Sequence, residues 1–222
     1  MSVEAEALRE AIDEAKRIAT KRRFKQSVEL IISYKDLSVK QPEARINEAI
    51  ELPHVPEDKK AKVCVIAEGD LAIKAKGVAD GVIGKAELNA AQGDKKYARK
   101  LAKAYDFFIA QADLMPLVGR ALGPILGPRG KMPVPIPATA DPVPLIKKLQ
   151  SSVRVRIKDN PVVQCAIGTE DMPTEELVDN AKAVMEGVEY KLKAPHRIGK
   201  VYVKLTMSPA VQVKLAVRRR QR

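Results

Sequence analysis

The chain has 222 residues, of which 45% are hydrophobic and 31% are charged, so it can bury one large core or two ordinary ones. It holds no run of about eighteen apolar residues that could span a membrane, and its acidic start MSVEAEALRE lacks the apolar core of a secretory signal, so a cytoplasmic protein is expected. Forty Lys and Arg against 28 Asp and Glu give a net charge of +12, which favours a polyanionic partner.

The first predicted element is an amphipathic helix over residues 3–21. Its apolar positions are spaced alternately by three and four residues, which places them on one helix face: Ala5, Leu8, Ile12, Ala15 and Ala19. Two strands are predicted after it, in the β-branched and apolar stretch SVELIISY at 27–34 and in RINEAIELP at 45–53, where Pro53 ends the strand.

The middle of the chain shows the alternation of strands and helices that is typical of a parallel sheet. AKVCVIA at 61–67 is a continuous apolar run, as expected of a strand covered on both faces, and the runs GVADGVIG and YDFFIAQ follow it. Between those two runs, DKKYARKLAKAY at 94–105 carries an apolar stripe opposite basic residues, which predicts a crossover helix. Asp141 and Pro142 then begin a helix that extends to about Gln150.

The segment LGPILGPRGKMPVP at 122–135 contains three glycines and four prolines, and we predict a stiff, basic loop that is neither a helix interior nor a central strand. It is not a phosphate-binding P-loop, because Ile125 stands where that motif needs a glycine and Met132 stands where it needs serine or threonine. Its GPRG stretch fits the GxxG turn of KH domains, but a match of four residues is weak. The segment also lacks the GxGxxG of a dinucleotide site.

The end of the chain returns to short strands and one long helix. VRVRIK at 153–158 alternates strictly, VVQCAIG at 162–168 follows the turn DNP, and a helix is predicted from Thr174 to Tyr190. Two strands, GKVYVKLTM and VQVKLAV, follow, and the basic tail VRRRQR is expected to bind phosphate without specificity. Short strands with two helices predict an antiparallel α+β domain with the helices on one sheet face.

These two patterns predict a split domain and an insertion. Residues 1–55 and 152–222 together form the α+β domain, and residues 56–151 form an α/β domain inserted into it. Residues 1–55 are neutral overall, while each of the other two segments carries a net charge of +6. Most of the positive charge therefore lies in the later two-thirds of the chain.

Sequence motifs for catalysis or metal binding are not found. Cys64 and Cys165 lie far apart in apolar, strand-like stretches, which predicts buried thiols and neither a disulfide nor metal ligands. His54 and His196 have no local nucleophile or carboxylate arrangement, and neither HExxH nor GxSxG occurs. We therefore predict no catalytic residue, cofactor or metal.

Four segments of the chain resemble the ribosomal protein L1 family of the large ribosomal subunit. They are LGPILGPRGKMPVP, RRFKQSVEL, ELPHVPEDKKAKVCVIAEG and KVYVKLTMSPAVQV, and the resemblance covers essentially the whole chain. The stretch Thr206-Met207-Ser208-Pro209 is similar to the archaeal form of the family, since the bacterial pattern has glycine at the place of Ser208.

The resemblance implies a split, RRM-like first domain and an inserted, Rossmann-like second domain joined by a hinge. It also implies a structural protein of the cytoplasmic ribosome that binds a folded rRNA stalk segment near the tRNA exit site. Exit-site tRNA and the protein's own mRNA are further implied partners, the latter through translational repression. Away from the ribosome the chain is expected to be a monomer, and no membrane association is expected.

The family's main RNA contact matches positions of the first domain and its neighbouring strand: Phe24, Ser27, Thr206, Met207 and Ser208, with Lys200 and Lys204. With 4% aromatic residues and no Trp, the chain is poorly equipped to stack several bases, so recognition of RNA shape by hydroxyl and apolar groups is expected. The glycine-proline segment is expected to be a rigid scaffold, with Gly127 and Gly130 in its turn. It is also expected to present Arg129 and Lys131 to rRNA or to the first domain as a secondary contact.

Other interpretations remain open from the residues alone. Phe24 and Met207 could be core residues, and Thr206 could be an ordinary strand threonine. A nucleotide-dependent enzyme could use the α/β domain, and a basic interaction protein could bind a protein or an anionic membrane. The membrane version is disfavoured because no predicted helix combines a basic face with a bulky face of aromatic and leucine residues.

Overall fold

The structure, a computed structural model, describes four stretches of the chain: residues 4–39, 44–56, 59–192 and 197–214. The chain divides into two compact units, a first unit from Met1–Lys59 with Ser152–Arg222 and a second unit from Lys60–Ser151. The tail VRRRQR and His196, both considered above, lie outside the described residues. None of the helices in the described stretches is long and apolar enough to cross a membrane.

The described stretches contain eight α-helices and ten strands. The helices are α1 (Ala5–Ile18), α2 (Gly69–Ala75), α3 (Lys85–Gly93), α4 (Lys95–Ala104), α5 (Met115–Ala121), α6 (Gly123–Arg129), α7 (Val143–Gln150) and α8 (Thr174–Lys191). The strands are β1 (Ser27–Lys35), β2 (Ile46–Glu51), β3 (Val63–Ile66), β4 (Gly81–Ile83), β5 (Phe107–Gln111), β6 (Val134–Ile136), β7 (Ser152–Ile157), β8 (Val162–Thr169), β9 (Arg197–Leu205) and β10 (Val211–Gln212).

The first unit is built on a four-stranded antiparallel sheet with the strand order β10-β9-β1-β8. Buried and partly exposed residues alternate along β1, because successive side chains of a strand point to opposite faces. Its inward residues Val28 and Leu30 are fully buried and pair with Leu205 and Val203 of β9. β2 and β7 form a separate two-stranded antiparallel ladder.

Helices α1 and α8 share one hydrophobic core with these strands. Leu8 and Ile12 of α1 are fully buried, as is Leu177 of α8, and each buried Leu or Ile side chain contributes about 1.5–3 kcal/mol. The buried Asn180 of α8 donates to the carbonyls of His54 (2.6 Å) and Ile167 (2.7 Å) and accepts from the N–H of His54 (3.0 Å). The segment after β2 is thereby bonded to the middle of α8.

The second unit contains a parallel sheet with the strand order β4-β3-β5-β6. All four residues of β3 are buried, as expected for a parallel strand with both faces covered. The core of this unit includes Leu88 of α3, Phe108 of β5 and Leu126 of α6. α7 begins at Val143, whose N–H donates to the Asp141 carboxylate at 3.1 Å.

The glycine-proline segment is not the loop that its composition predicts. Residues 123–129 form α6, and residues 134–136 form β6 at the edge of the parallel sheet. The helix accommodates Pro124 because that residue lies in the first turn, where no intrahelical N–H bond is needed. Gly130 ends the helix in the left-handed conformation at φ 69°, and β6 accommodates Pro135 because an edge strand leaves one side of its backbone unpaired.

The remaining predicted elements are present with ends shifted by a few residues, apart from the two strands at the end of the chain. β9 stops at Leu205, before the predicted 207, because a turn begins at Thr206. β10 covers only Val211–Gln212 of the predicted VQVKLAV, whose last residues lie outside the described stretches. The mixed helix and sheet content in two units is confirmed.

Candidate nucleic-acid interface

Most of the predicted RNA-contacting residues lie at the end of the first unit's sheet where β1 begins and β9 ends. The N–H of Thr206 donates to the Ser27 carbonyl at 3.1 Å, and the N–H of Ser27 donates to the Thr206 hydroxyl at 3.1 Å. The threonine hydroxyl therefore continues the ladder past Leu205. We call Thr206, Met207 and Ser208 the strand-end turn.

Ser208 closes the strand-end turn. Its hydroxyl oxygen accepts from the N–H of Leu205 at 2.9 Å, and its own N–H donates to the Leu205 carbonyl at 3.1 Å. The hydroxyl also lies 3.1 Å from the Pro209 carbonyl, within donating distance. A glycine at this position would lack the hydroxyl, so the serine has a defined structural role here.

Gln26 is the residue of this site that the sequence did not indicate. It is only 1% exposed, and its side-chain amide donates to the Thr20 carbonyl (3.1 Å) and to the Glu170 carboxylate (3.3 Å). Its side-chain oxygen accepts from the N–H of Met207 at 3.2 Å. One buried amide thus bonds to three separate chain segments and fixes the position of the strand-end turn. Its place directly before a strand was the one available signal.

The two large apolar residues of the site are exposed, so the alternative interpretation of Phe24 and Met207 as core residues is wrong. Phe24 is 51% exposed and Met207 is 55% exposed. Phe24 lies two residues before Gln26, and Met207 is bonded to Gln26 through its backbone. Both side chains are therefore available for contact with a partner.

The two predicted lysines on β9 have different positions. The Lys204 ammonium donates to the Thr206 carbonyl at 3.3 Å and lies 3.8 Å from the Glu29 carboxylate, so it belongs to the site. Lys200 pairs with Ser33, and at about 3.3 Å per residue it is roughly 20 Å along the strand from Thr206. The structure therefore does not bring Lys200 to the strand-end turn.

A groove of about 410 Å³ adjoins this end of the sheet. Its lining includes Lys16, Lys21, Arg22, Glu170, Asp171 and Leu205. Burial lowers the pKa of Lys16, against the opposing effect of the carboxylates of Asp13, Asp171 and Glu175, and its ammonium donates to the Met172 carbonyl. Lys25 forms an ion pair with Asp171 at 3.0 Å. The groove is thus lined by both signs of charge.

The four residues predicted in the glycine-proline segment lie in the second unit. The Lys131 ammonium donates to the carbonyls of Tyr105 (2.7 Å) and Ala102 (3.2 Å) and lies 3.5 Å from the Asp106 carboxylate. Lys131 therefore binds the carboxyl end of α4, whose last carbonyls have no intrahelical partner. Arg129 is exposed, Gly127 has open space around it, and Gly130 provides the left-handed end of α6.

In the described residues no group of three or more His, Cys, Asp and Glu side chains is placed to hold a metal ion. Both cysteines are buried, and burial raises the pKa of each thiol to about 12. Such thiols are protonated at neutral pH and are poor nucleophiles.

The fold is that of a two-unit protein with one antiparallel α+β unit and one parallel α/β unit, and its candidate site is a fixed turn at the end of the antiparallel sheet. The chain belongs to the ribosomal protein L1p/L10e family, whose model matches residues 14–209. The predicted family resemblance is therefore confirmed.

The similar proteins cover almost the whole chain. It is 50% identical over 214 residues to the large ribosomal subunit protein uL1 of Hyperthermus butylicus, with 96% of this chain and 98% of the relative covered. The protein of the same name from Thermofilum pendens is 51% identical over 220 residues, with 98% and 97% covered, and that from Methanothermobacter thermautotrophicus is 49% identical over 206 residues, with 92% and 97% covered. These relatives support the archaeal form of the family.

Membership of a family of ribosomal proteins decides two further expectations. The chain is a ribosomal protein and not an enzyme, so the alternative of a nucleotide-dependent enzyme is set aside. Its place is the ribosome of the cytoplasm.

Proposed function

We propose that this chain is a structural constituent of the large ribosomal subunit and that it binds a folded rRNA stalk segment near the tRNA exit site. The relatives named above are large-subunit proteins, and they align with this chain over nearly its full length. The single observation that supports the binding role is the strand-end turn. There Met207 is 55% exposed while the backbone around it is fixed by Ser27, Gln26 and Ser208.

A fixed turn of this kind suits recognition of RNA shape. Because its backbone bonds are already made, little conformational entropy is lost when it docks on RNA. The hydroxyls of Thr206 and Ser208 keep lone pairs that ribose 2′-OH groups can donate to, and the exposed Met207 and Phe24 add apolar contact. The exposed Lys21 and Arg23 add attraction to phosphate without sequence preference.

The two units take different roles in this proposal. Residues 1–55 and 152–222 form an RRM-like RNA-binding domain, supported by an antiparallel sheet that shares its core with α1 and α8. Residues 56–151 form an inserted Rossmann-like domain, supported by the parallel sheet β4-β3-β5-β6. The proposed RNA contact consists of Phe24, Ser27, Lys204 and the strand-end turn.

The proposal also includes two further RNA partners. The protein represses translation by binding a structure in its own mRNA that resembles the rRNA segment, and it contacts exit-site tRNA when it is on the ribosome. Away from the ribosome it is a monomer. If mRNA and rRNA share one surface, the mRNA leader will displace a labelled rRNA fragment competitively, and Met207→Ala will weaken both complexes by the same factor. Simultaneous binding of both RNAs would remove mRNA repression through this surface from the proposal.

The decisive experiment compares the full chain with two single variants on an rRNA stalk fragment and on an unrelated folded RNA of equal length, at two salt concentrations. Met207→Ala is expected to weaken binding to the stalk fragment roughly tenfold, or about 1.4 kcal/mol, because an exposed contact on the fixed turn is lost. The matched control is Met132→Ala, a methionine that is 42% exposed in the second unit.

The control variant should bind the stalk fragment as the unchanged chain does. Specific binding should exceed binding to the unrelated RNA on the order of a thousandfold at the higher salt. Equal and steeply salt-dependent binding to both RNAs would show a general cationic surface and would overturn the proposed recognition site. An equal loss in both methionine variants would remove the strand-end turn from it.

A further inference from the structure

The solvent face of α4 in the second unit carries a dense set of positive charges. The ten residues of this helix contain five basic and no acidic side chains, and all five are exposed. We call these residues the basic helix face: Lys95, Lys96, Arg99, Lys100 and Lys103. They recur at intervals of three and four residues, which places them on neighbouring positions of one helix surface.

The carboxylates nearest in sequence to this face bond elsewhere. Asp94 accepts from the N–H groups of Lys96 (2.7 Å) and Tyr97 (3.2 Å) at the start of the helix. Asp106, after the end of the helix, lies 3.5 Å from Lys131. In the described part of the chain no carboxylate lies within ion-pair distance of any cation of the basic helix face, whereas Arg17 of α1 is 2.7 Å from Glu14.

Such a charge pattern opposes helix formation. Like charges three and four residues apart repel each other, and Lys95 and Lys96 lie in the first turn, where the helix dipole disfavours cations. The fold holds the helix in place from its other side: Ala98 and Ala102 are buried in the core of the unit, and Lys131 binds the last carbonyls. The cations are therefore displayed on a fixed support.

We propose that the basic helix face is a second RNA contact, separate from the strand-end turn, that binds backbone phosphates without reading bases. From Lys95 to Lys103 it extends about 12 Å along the helix axis, which suits several consecutive phosphates. The choice of RNA as the polyanion rests on the function proposed above. A protein partner fits less well, because protein interfaces are depleted in lysine, and membrane insertion is prevented because the apolar side of α4 is already buried.

The test uses the full chain and two fourfold variants that remove the same charge. The first replaces Lys96, Arg99, Lys100 and Lys103 with Gln. The control replaces Lys74, Lys76, Lys85 and Arg120 with Gln, which are also exposed, also in the second unit, and spread over other elements. Both are measured on the rRNA stalk fragment and on an unrelated folded RNA over a range of salt concentrations, after circular dichroism and thermal unfolding have shown that they fold.

The first variant should reduce the slope of log K against log salt by about 3 on both RNAs, since each phosphate contact contributes about 0.7–0.9 to that slope. The control should change the slope by less than about 1. Equal reductions in both variants would overturn the inference in favour of general charge, and no reduction in the first variant would overturn it outright.

The result separates this inference from the proposed function. The unchanged chain could bind the stalk fragment no more tightly than the unrelated RNA while the salt slopes of the two fourfold variants still differ. In that case the proposed function fails and the second contact stands. If the preference holds and the two variants behave alike, only the second contact fails.

A second readout needs no variant. In the unchanged chain, bound RNA should protect Lys96, Lys100 and Lys103 from acylation, as measured by mass spectrometry, while Lys74, Lys76 and Lys85 stay reactive. Protection of the α4 lysines by phosphatidylserine vesicles and not by RNA would assign the surface to a membrane and overturn the inference.

Discussion

At the scale of single residues, one buried amide organises the candidate site. Gln26 bonds to Thr20, which lies six residues before it, and to Glu170 and Met207, which are both far from it in the sequence. A buried polar group that loses its partner costs about 1–3 kcal/mol, so each group bonded to Gln26 depends on it as well. The exposed side chains of the turn contact RNA in our proposal, but the buried amide sets where they stand.

Replacing Gln26 with Ala should therefore reduce the free energy of unfolding by roughly 1–3 kcal/mol and should also weaken binding to the rRNA stalk fragment. Urea unfolding and RNA titration measure the two effects. The matched control is Gln164→Ala on the exposed side of β8, which should change neither by more than about 0.5 kcal/mol. Unchanged RNA affinity in a destabilised Gln26 variant would limit this residue to a structural role.

Lys131 and Arg129 lie close together in the sequence but should contribute differently to stability. Lys131→Gln should lower stability by about 1–2 kcal/mol, because the ammonium bonds to two carbonyls at the end of α4 and lies beside Asp106. Arg129→Gln should be neutral within about 0.5 kcal/mol, since that side chain is exposed. Urea unfolding distinguishes the two, and equal effects would show that the Lys131 bonds contribute nothing.

At the scale of elements, Gly168 of β8 and Gly119 of α5 show how packing determines the effect of a glycine-to-alanine substitution on stability. A Cβ at Gly168 of β8 would stand 2.5 Å from Leu177 of α8 and 2.6 Å from Met172. A Cβ at Gly119, inside α5, would meet no atom within 4 Å. The close approach of β8 to α8 therefore depends on a missing side chain, whereas α5 carries a glycine without a packing reason.

Gly168→Ala should destabilise the protein by roughly 1–3 kcal/mol, because the added methyl forces the neighbouring side chains to move. Gly119→Ala should stabilise it by about 0.5–1 kcal/mol, because alanine favours a helix interior over glycine. Thermal unfolding of both variants measures the signs. A stabilising Gly168→Ala would mean that Leu177 and Met172 move aside at little cost.

At the scale of the whole molecule, each unit contains one buried thiol. Burial, and to a smaller extent Glu87, raises the pKa of Cys64 to about 12, and burial with Glu29 does the same for Cys165. A thiol ionises in the unfolded chain near its ordinary value of 9.0 but stays protonated in the folded one. The stabilisation from these groups is therefore complete below about pH 9 and is lost as the pH rises towards about 12.

Stability should thus fall by about 1 kcal/mol per thiol between about pH 9 and about pH 10. Urea unfolding at both pH values measures the loss, and the variant with both cysteines replaced by Ala should lack this loss for each of the two thiols. The same pH dependence with and without the cysteines would contradict this origin.

The sequence predicts what depends on local periodicity. The apolar spacing of α1, the β-branched and apolar content of β1, the strict alternation of β7 and the continuous apolar run of β3 each indicate the type of one element, and the structure contains all four. The Thr206-Met207-Ser208 stretch can be predicted as part of the candidate site because its residues match a family pattern. The same resemblance also implies Lys200 on the neighbouring strand, but Lys200 lies six positions before Thr206, at the far part of β9.

Only the tertiary structure determines how segments that are distant in the sequence bond to each other. By sequence alone Gln26 is one polar residue before a strand, Lys131 is one cation among glycines and prolines, and residues 123–129 resemble a loop. Their actual roles depend on the register of β1 with β9, on the end of α4 and on the position of each proline within α6. Periodicity fixes which side of an element is apolar, but buried hydrogen bonds form only when folding brings their partners together.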